Sequence, residues 1–177
     1  MTRQDSNNVP GGAPDPLVIR VTAGSGTGRT TLAAFDAALR SAGVADHNLI
    51  RLSSIVPPGA VVEVSPAQEQ LRGEFGDKLY CVYAVSFATE VDEETWAGVG
   101  WSRSRDGDGR GLFVEHVGHA EAHVRNLILT TLGDMNEGRD RAYEVENMML
   151  SSARCEKQPV CALVIATYRT EGWTDRG

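Results

Sequence analysis

The chain has 177 residues, enough for one domain with a core of its own and no need of disulfide or metal staples. Its 24 acidic against 17 basic side chains leave a net charge of −7, which argues against a nucleic-acid surface and suits a cationic small molecule as ligand. The 41% hydrophobic and 23% charged fractions are those of a globular domain, and no apolar run approaches the ~18 residues of a membrane span.

Residues 1–16 are polar and rich in Pro and Gly, which predicts a disordered lead without a signal-peptide core; residues 17–177 read as a single domain. A β-branched strand is expected at 17–21, then a glycine loop over 23–28 that makes a tight turn into a helix. Thr30 or Thr31 caps that helix, Leu32, Phe35, Leu39 and Ala42 share one face, and Gly43 stops it. Asp36 sits at the edge of that face, a carboxylate among apolar neighbours with no evident structural task. Residues 48–55 read as one strand ended by Pro57 and Pro58, followed by a short strand at 60–64. The near-continuous apolar run at 79–88 predicts a strand buried on both faces. Strands at 96–101 and 112–117 flank a Gly/Asp-rich turn, 102–111. A second helix follows from the spacing of Ala120, Val124, Leu127, Ile128, Thr131, Leu132 and Met135. A strand or short helix at 143–150 and a strong strand at 160–168 complete the chain. Strands outnumber helices and pair as hairpins, which predicts α+β rather than a βαβ array.

Four features bear on candidate chemistry. The glycines lack phosphate-loop spacing: three residues, not four, separate Gly24 from Gly28, Arg29 stands where a lysine is needed, and G-x-G-x-G is not the dinucleotide fingerprint. His119 and His123 lie at i, i+4 close to Glu115 and His116, but H-E-x-x-H and a third ligand are missing, so no metal is expected. Cys81, Cys155 and Cys161 are odd in number and include no C-x-x-C, which predicts reduced, mostly buried thiols in a cytoplasmic protein. The fourth feature, Asn48-Leu49-Ile50-Arg51-Leu52-Ser53-Ser54-Ile55-Val56-Pro57-Pro58, sets two serines inside an otherwise apolar strand. Composition alone reads these as hydroxyls with backbone partners at a strand end.

That segment resembles the self-cleavage site of pyruvoyl-dependent arginine decarboxylases. The resemblance extends upstream through Ala34-Phe35-Asp36-Ala37-Ala38-Leu39, Ala42-Gly43 and the glycines after Ala23, and more loosely to Gly111-Leu112-Phe113-Val114-Glu115, covering about residues 17–168. It implies a four-layer αββα sandwich and a homotrimer of cleaved pairs with active sites shared between protomers; dimers of trimers also occur among related enzymes. It implies that the Ser54 hydroxyl attacks the Ser53 carbonyl, with the Asn48 amide steadying the oxyanion, and that the chain splits between 53 and 54 to leave a covalent pyruvoyl group at 54. The substrate amine would form a Schiff base there and lose CO2, turning L-arginine into agmatine without pyridoxal phosphate or metal. On the same resemblance Glu115 is the acid that protonates Cα, Asp36 grips the guanidinium, and Leu32, Leu39 and Ile55 line the substrate's methylenes. The partners implied are a small amino acid and further copies of the chain, with no nucleic acid and no membrane. Two departures bear on substrate choice: Asp46-His47 before Asn48, where the family pattern has small or aliphatic residues, and the long, charged 102–111 turn. The alternatives are the same chemistry on another amino acid, or an unprocessed, non-catalytic relative; the retained Asn48, Ser53, Ser54 and Glu115 argue against the second.

Overall fold

Nine strands and two helices form within residues 15–65, 71–139 and 142–173, the part of the chain that the computed structural model describes. The expected disordered lead lies almost wholly outside the described residues. In chain order the elements are β1 (Val18–Thr27), α1 (Thr31–Ser41), β2 (Asn48–Arg51), β3 (Ile55–Val56), β4 (Val61–Val64), β5 (Lys78–Ala88), β6 (Glu94–Ser104), β7 (Gly111–Gly118), α2 (Glu121–Glu137), β8 (Tyr143–Arg154) and β9 (Val160–Glu171). A five-stranded sheet has the order β2-β5-β9-β1-β4, and a four-stranded sheet the order β3-β7-β6-β8. In the first, β1 pairs parallel with β4 and β2 parallel with β5, while β9 runs antiparallel between β1 and β5; the second is antiparallel throughout. The fold is α+β.

The expected glycine loop is strand. β1 continues through Gly24 and Gly26 to Thr27, and α1 lies directly on it. A Cβ on Gly24 would stand 2.3 Å from the Ala38 carbonyl oxygen, and one on Gly26 2.4 Å from that of Ala34. Side chains at these positions would push the helix off the sheet, so the glycines serve close packing rather than a turn. The same contact corrects the expected helix face. Ala34, Ala38 and Ala42 are the buried row, Phe35 and Leu39 are half-buried beside it, and Leu32 is 75% exposed. Thr30 caps α1 by accepting the Ala33 N–H at 3.1 Å. At the other end Gly43 takes a φ of +74°, its N–H reaching the Arg40 carbonyl and the Val44 N–H that of Leu39, which closes the orphan carbonyls of the last turn.

Three larger apolar clusters, beside a small one of Ala88, Cys155 and Val160, hold the described elements together. Ile19, Val21, Val82 and Val164 of the first sheet meet Val99, Trp101 and Phe113 of the second. Ala34, Ala38 and Ala42 of α1 cover Leu79, Cys81, Leu163 and Ile165. Val124, Ile128 and Leu132 of α2 pack on Val114, where Gly98 and Gly100 of β6 leave room for Ile128. The expected single strand at 48–55 is broken. β2 belongs to the first sheet and β3 to the second, so residues 52–54 carry the chain from one sheet to the other. The element at 143–150 resolves as strand, extended to Arg154, and all three cysteines are free and buried.

Candidate active site

The site forms where the chain changes sheets. The Leu52 N–H donates to the Cys81 carbonyl at 2.9 Å, holding the chain to the five-stranded sheet before the switch, and the Phe113 N–H donates to the Ser54 carbonyl at 2.8 Å, holding it to the four-stranded sheet after it. The Ser53–Ser54 peptide spans the gap between these anchors. Ser54 has a φ of +64°, a left-handed conformation of order 1–3 kcal/mol uphill for a residue with a Cβ, held only because both flanks are fixed. Ser53 is exposed and Ser54 half-buried.

The Ser54 hydroxyl donates to Glu115 Oε1 at 2.5 Å. The alternation of β7 brings the carboxylate there: Val114 packs under α2 and His116 bonds Thr131 of α2 at 2.8 Å, so Phe113 and Glu115 face the other way. The Glu115 side chain is 17% exposed, and its second oxygen lies 3.9 Å from Arg51 Nη2. Arg51 donates to the Tyr83 carbonyl at 3.1 Å and stacks over the Tyr83 ring at 4.9 Å. Tyr168 donates to the Ile55 carbonyl at 2.9 Å. A bulge in β9 aims it: Tyr80 faces Arg169 and Cys81 faces Thr167, leaving Tyr168 without a partner in β5.

Burial, reinforced by the Glu115 charge, pushes the Tyr168 phenol far up, so it remains a donor at any physiological pH. Burial also lifts the Cys81 thiol to about 12 against the opposing pull of Arg51. Desolvation lowers the pKa of His116 more than Glu115 raises it, which favours the neutral imidazole.

The structure thus brings together Ser53, Ser54, Ile55 and Glu115. Asn48 opens β2, and its amide donates to the Gly76 carbonyl at 2.6 Å, an acceptor it shares with Trp173 Nε1 at 2.8 Å. Leu39 is half-buried between α1 and the sheet, and Ile55 is 51% exposed. Asp36, exposed on α1, is paired with Arg40 one turn on. Leu32 also faces solvent on α1. His47 bonds the Ala45 carbonyl at 2.7 Å and packs against Gly73. The charged turn between β6 and β7 ties down the segment after β3, with the Gly59 N–H on the Asp108 carbonyl and Arg103 on that of Ala60. Among the described residues no group of three His, Cys, Asp or Glu is arranged to hold a metal; His119 is exposed, 3.6 Å from Glu93. Arg51 and Tyr168 are the residues that sequence reasoning passed over. Arg51 stood inside the serine motif without a role of its own, and the one signal for Tyr168 was that a tyrosine in a buried strand needs a partner for its hydroxyl.

A hydroxyl aimed by a carboxylate, next to a peptide in a strained conformation, is the arrangement of an activated nucleophile. The profile of the family described as Pyruvoyl-dependent arginine decarboxylase (PvlArgDC) matches residues 18–172. Three curated proteins named as such decarboxylases are similar over much of their length. That of Picrophilus torridus is 34% identical over 151 residues, 77% of this chain and 82% of that protein. That of Methanococcoides burtonii is 30% identical over 157 residues, 77% and 86% of the two chains. The second such protein of Archaeoglobus fulgidus is 36% identical over 117 residues, 63% and 73% of the two.

Proposed function

The chain belongs to the pyruvoyl-dependent arginine decarboxylase family, and from that premise we propose that it converts L-arginine to agmatine and CO2 at a pyruvoyl group made from its own Ser54. The observation that carries the reading is Ser54 itself, its hydroxyl on Glu115 and its backbone at positive φ.

In self-cleavage the Ser54 Oγ attacks the Ser53 carbonyl carbon, and the acyl group moves from the Ser54 nitrogen to Oγ while the hydroxyl proton ends on that nitrogen. Glu115 aims the oxygen, and the positive φ favours a step that relaxes it. The resemblance makes Asn48 the donor to the oxyanion that develops, a single-donor contribution of about 3 kcal/mol, although within one protomer it stands at the far end of β2 from Ser53, bonded to Gly76. Elimination across Cα–Cβ of residue 54 then frees 1–53 with a Ser53 carboxylate, and hydrolysis with loss of ammonia leaves the pyruvoyl group. The surroundings suit that group, because the residue-54 carbonyl it retains already accepts the Phe113 N–H. Once formed, it supplies an electrophile for the substrate amine and a sink for the electrons left when CO2 departs. Glu115, beside the same residue, holds the proton that Cα takes up.

Asp36, Leu32 and Ile55 act across a protomer boundary in this reading, as one homotrimer of cleaved pairs or two stacked. The solvent-facing positions of Leu32 and Ile55 support it. The three apolar clusters support the stacking α1, five-stranded sheet, four-stranded sheet, α2, a four-layer αββα sandwich. The free, buried cysteines suit a cytoplasmic location, and among the described residues no helix is long and apolar enough to cross a membrane. A second reading, the same chemistry on another amino acid, rests on Asp36, whose carboxylate the chain's own Arg40 holds.

A denaturing mass spectrum of the purified protein should show fragments 1–53 and 54–177, and Ser54→Ala should remain one inactive chain. A split Ser54→Ala protein would exclude Ser54 as the nucleophile. Assay of CO2 release from arginine, ornithine, lysine, citrulline and uncharged amino acids then decides between the two substrates' readings, since a preference for an uncharged amino acid removes the guanidinium role of Asp36.

A further inference from the structure

Maturation at Ser54, as proposed, removes much of what holds residue 54. In the intact chain the Ser53–Ser54 peptide ties it to Leu52, whose N–H is fixed on the Cys81 carbonyl, and the Ser54 hydroxyl rests on Glu115. Cleavage breaks that peptide, and conversion to a pyruvoyl group removes the hydroxyl. Residue 54 then ends a chain. Behind it lies a strand of two residues, Ile55–Val56, which Pro57 and Pro58 keep from growing. A ladder that short has few bonds to offer, and β3 is the edge of its sheet, paired with β7 on one side.

Two bonds at this end do not involve the atoms that leave. The Phe113 N–H donates to the residue-54 carbonyl at 2.8 Å. Successive residues of an antiparallel strand turn their backbone groups toward and away from the partner, so the Ile55 carbonyl faces away from β7. There the Tyr168 hydroxyl, from β9 of the other sheet, donates to it at 2.9 Å. The two holds support each other. The Phe113 and Tyr168 rings meet edge to face, with centres 6.2 Å apart and planes at 67°, and both lie with Val56 in the core between the sheets. The residue whose N–H holds one carbonyl thus props the ring whose hydroxyl holds the next. Tyr168 is 9% exposed, so water competes little for the bond, and burial keeps the phenol protonated as its donor.

We propose that Tyr168 is a positioning residue for decarboxylation: it clasps the Ile55 carbonyl and so keeps the pyruvoyl end of the mature chain on the Phe113 N–H and beside Glu115. The inference rests on the family reading of Ser54. It also separates the two reactions of one site. During cleavage residue 54 is held from both sides and the clasp is dispensable; during decarboxylation it is held from one side and the clasp is needed. Misplacing a reacting group by about 1 Å can cost about 10²-fold in rate.

The test is Tyr168→Phe, which keeps the ring on Phe113 and removes only the hydroxyl. A denaturing mass spectrum should show fragments 1–53 and 54–177, as for the unaltered protein. Per cleaved chain, kcat for arginine should fall about 10-fold or more while KM moves by less than about 3-fold, the pattern of lost alignment rather than lost binding. Hydrogen exchange supplies a readout without substrate. The Phe113 N–H should exchange faster in cleaved Tyr168→Phe than in the cleaved unaltered protein. It should exchange at one rate in two uncleaved chains, Ser54→Ala with and without Tyr168→Phe. A merely structural role would speed exchange in both comparisons and would overturn the proposal, as would an unchanged kcat in cleaved Tyr168→Phe. If Tyr168→Phe does not fold, the unaltered cleaved protein against Ser54→Ala decides: equal protection of the Phe113 N–H supports the clasp, and protection lost on cleavage overturns it. An unaltered protein that stays in one piece, or that cleaves and releases no CO2 from arginine, overturns the underlying reading itself, before any change at Tyr168 is made.

Discussion

Ser54 combines a hydroxyl aimed by Glu115 with a backbone conformation that L-residues avoid. The two features separate experimentally at residue 115. Glutamine there keeps an oxygen that accepts the Ser54 hydroxyl, so Glu115→Gln should still yield fragments 1–53 and 54–177. It has no proton to give, so decarboxylation by the cleaved protein should fall about 10²–10⁴-fold, the range of a lost general acid. Turnover near that of the unaltered protein in a cleaved Glu115→Gln sample would remove Glu115 from the protonation step. Ser53, Ser54 and Glu115 were singled out through the family resemblance, since composition alone read the serines as strand-end hydroxyls, and the structure sets the Ser54 hydroxyl on Glu115. Arg51 and Tyr168 were not, because their parts depend on partners from other elements: a carboxylate 64 positions away from Arg51 in β7, and a carbonyl that only the β9 bulge brings opposite Tyr168.

For the elements, the informative errors are the glycine run and the serine strand. Gly24 and Gly26 were read as a turn because glycine is the commonest breaker, yet their spacing of two marks one face of a strand. What glycine supplies here is the absence of a Cβ under α1. Gly26→Ala should therefore destabilise by about 1–3 kcal/mol, the range for overpacking a core, read as a lower urea midpoint with an unchanged slope. An unaltered midpoint would mean that α1 rides up on β1 at no cost. Residues 48–55 were read as one strand because a segment that leaves one sheet for another keeps an apolar, β-branched pattern on both sides of the switch. Nothing local marks the break, since the partners that define it are β5 on one side and β7 on the other. The helix face was misjudged for a related reason: large apolar residues were assumed to be inward, whereas the glycine-lined strand accepts only the alanine row.

Across the whole molecule the α+β class was legible from the count and pairing of strands, but the sheet order and the uncovered surfaces were not. Two of its properties are testable. Burial lifts the Cys81 and Cys161 thiols to about 12 from an ordinary 9.0. Between those values an unfolded chain has lost both protons and the folded one has kept them, so stability falls as pH rises above 9 and is unaffected by these groups below it. Urea midpoints at pH 7, 8, 9 and 10 should hold level and then drop, and Cys161→Ala should flatten the drop; a curve of the same steepness in the variant would assign it to other groups. The second property is the apolar surface at the site. Leu32 on α1 and Ile55 beside Ser54 are each left in water, 75% and 51% exposed, although burying such a side chain contributes about 1.5–3 kcal/mol. Neither can be covered by its own chain without dismantling the contacts that position it, α1 on β1 and β3 on β7. In the proposed oligomer a neighbouring copy covers both, and the same contact is proposed to bring Asp36 toward Ser54. Light scattering after gel filtration should then give about three or six times the 19.0 kDa of one chain. Leu32→Asp, a change on a solvent face that leaves the core intact, should shift the mass toward 19.0 kDa, lower arginine turnover at least 10-fold and leave Ser53–Ser54 cleavage unaffected. A 19.0 kDa particle with full arginine turnover would show instead that one chain completes the site alone.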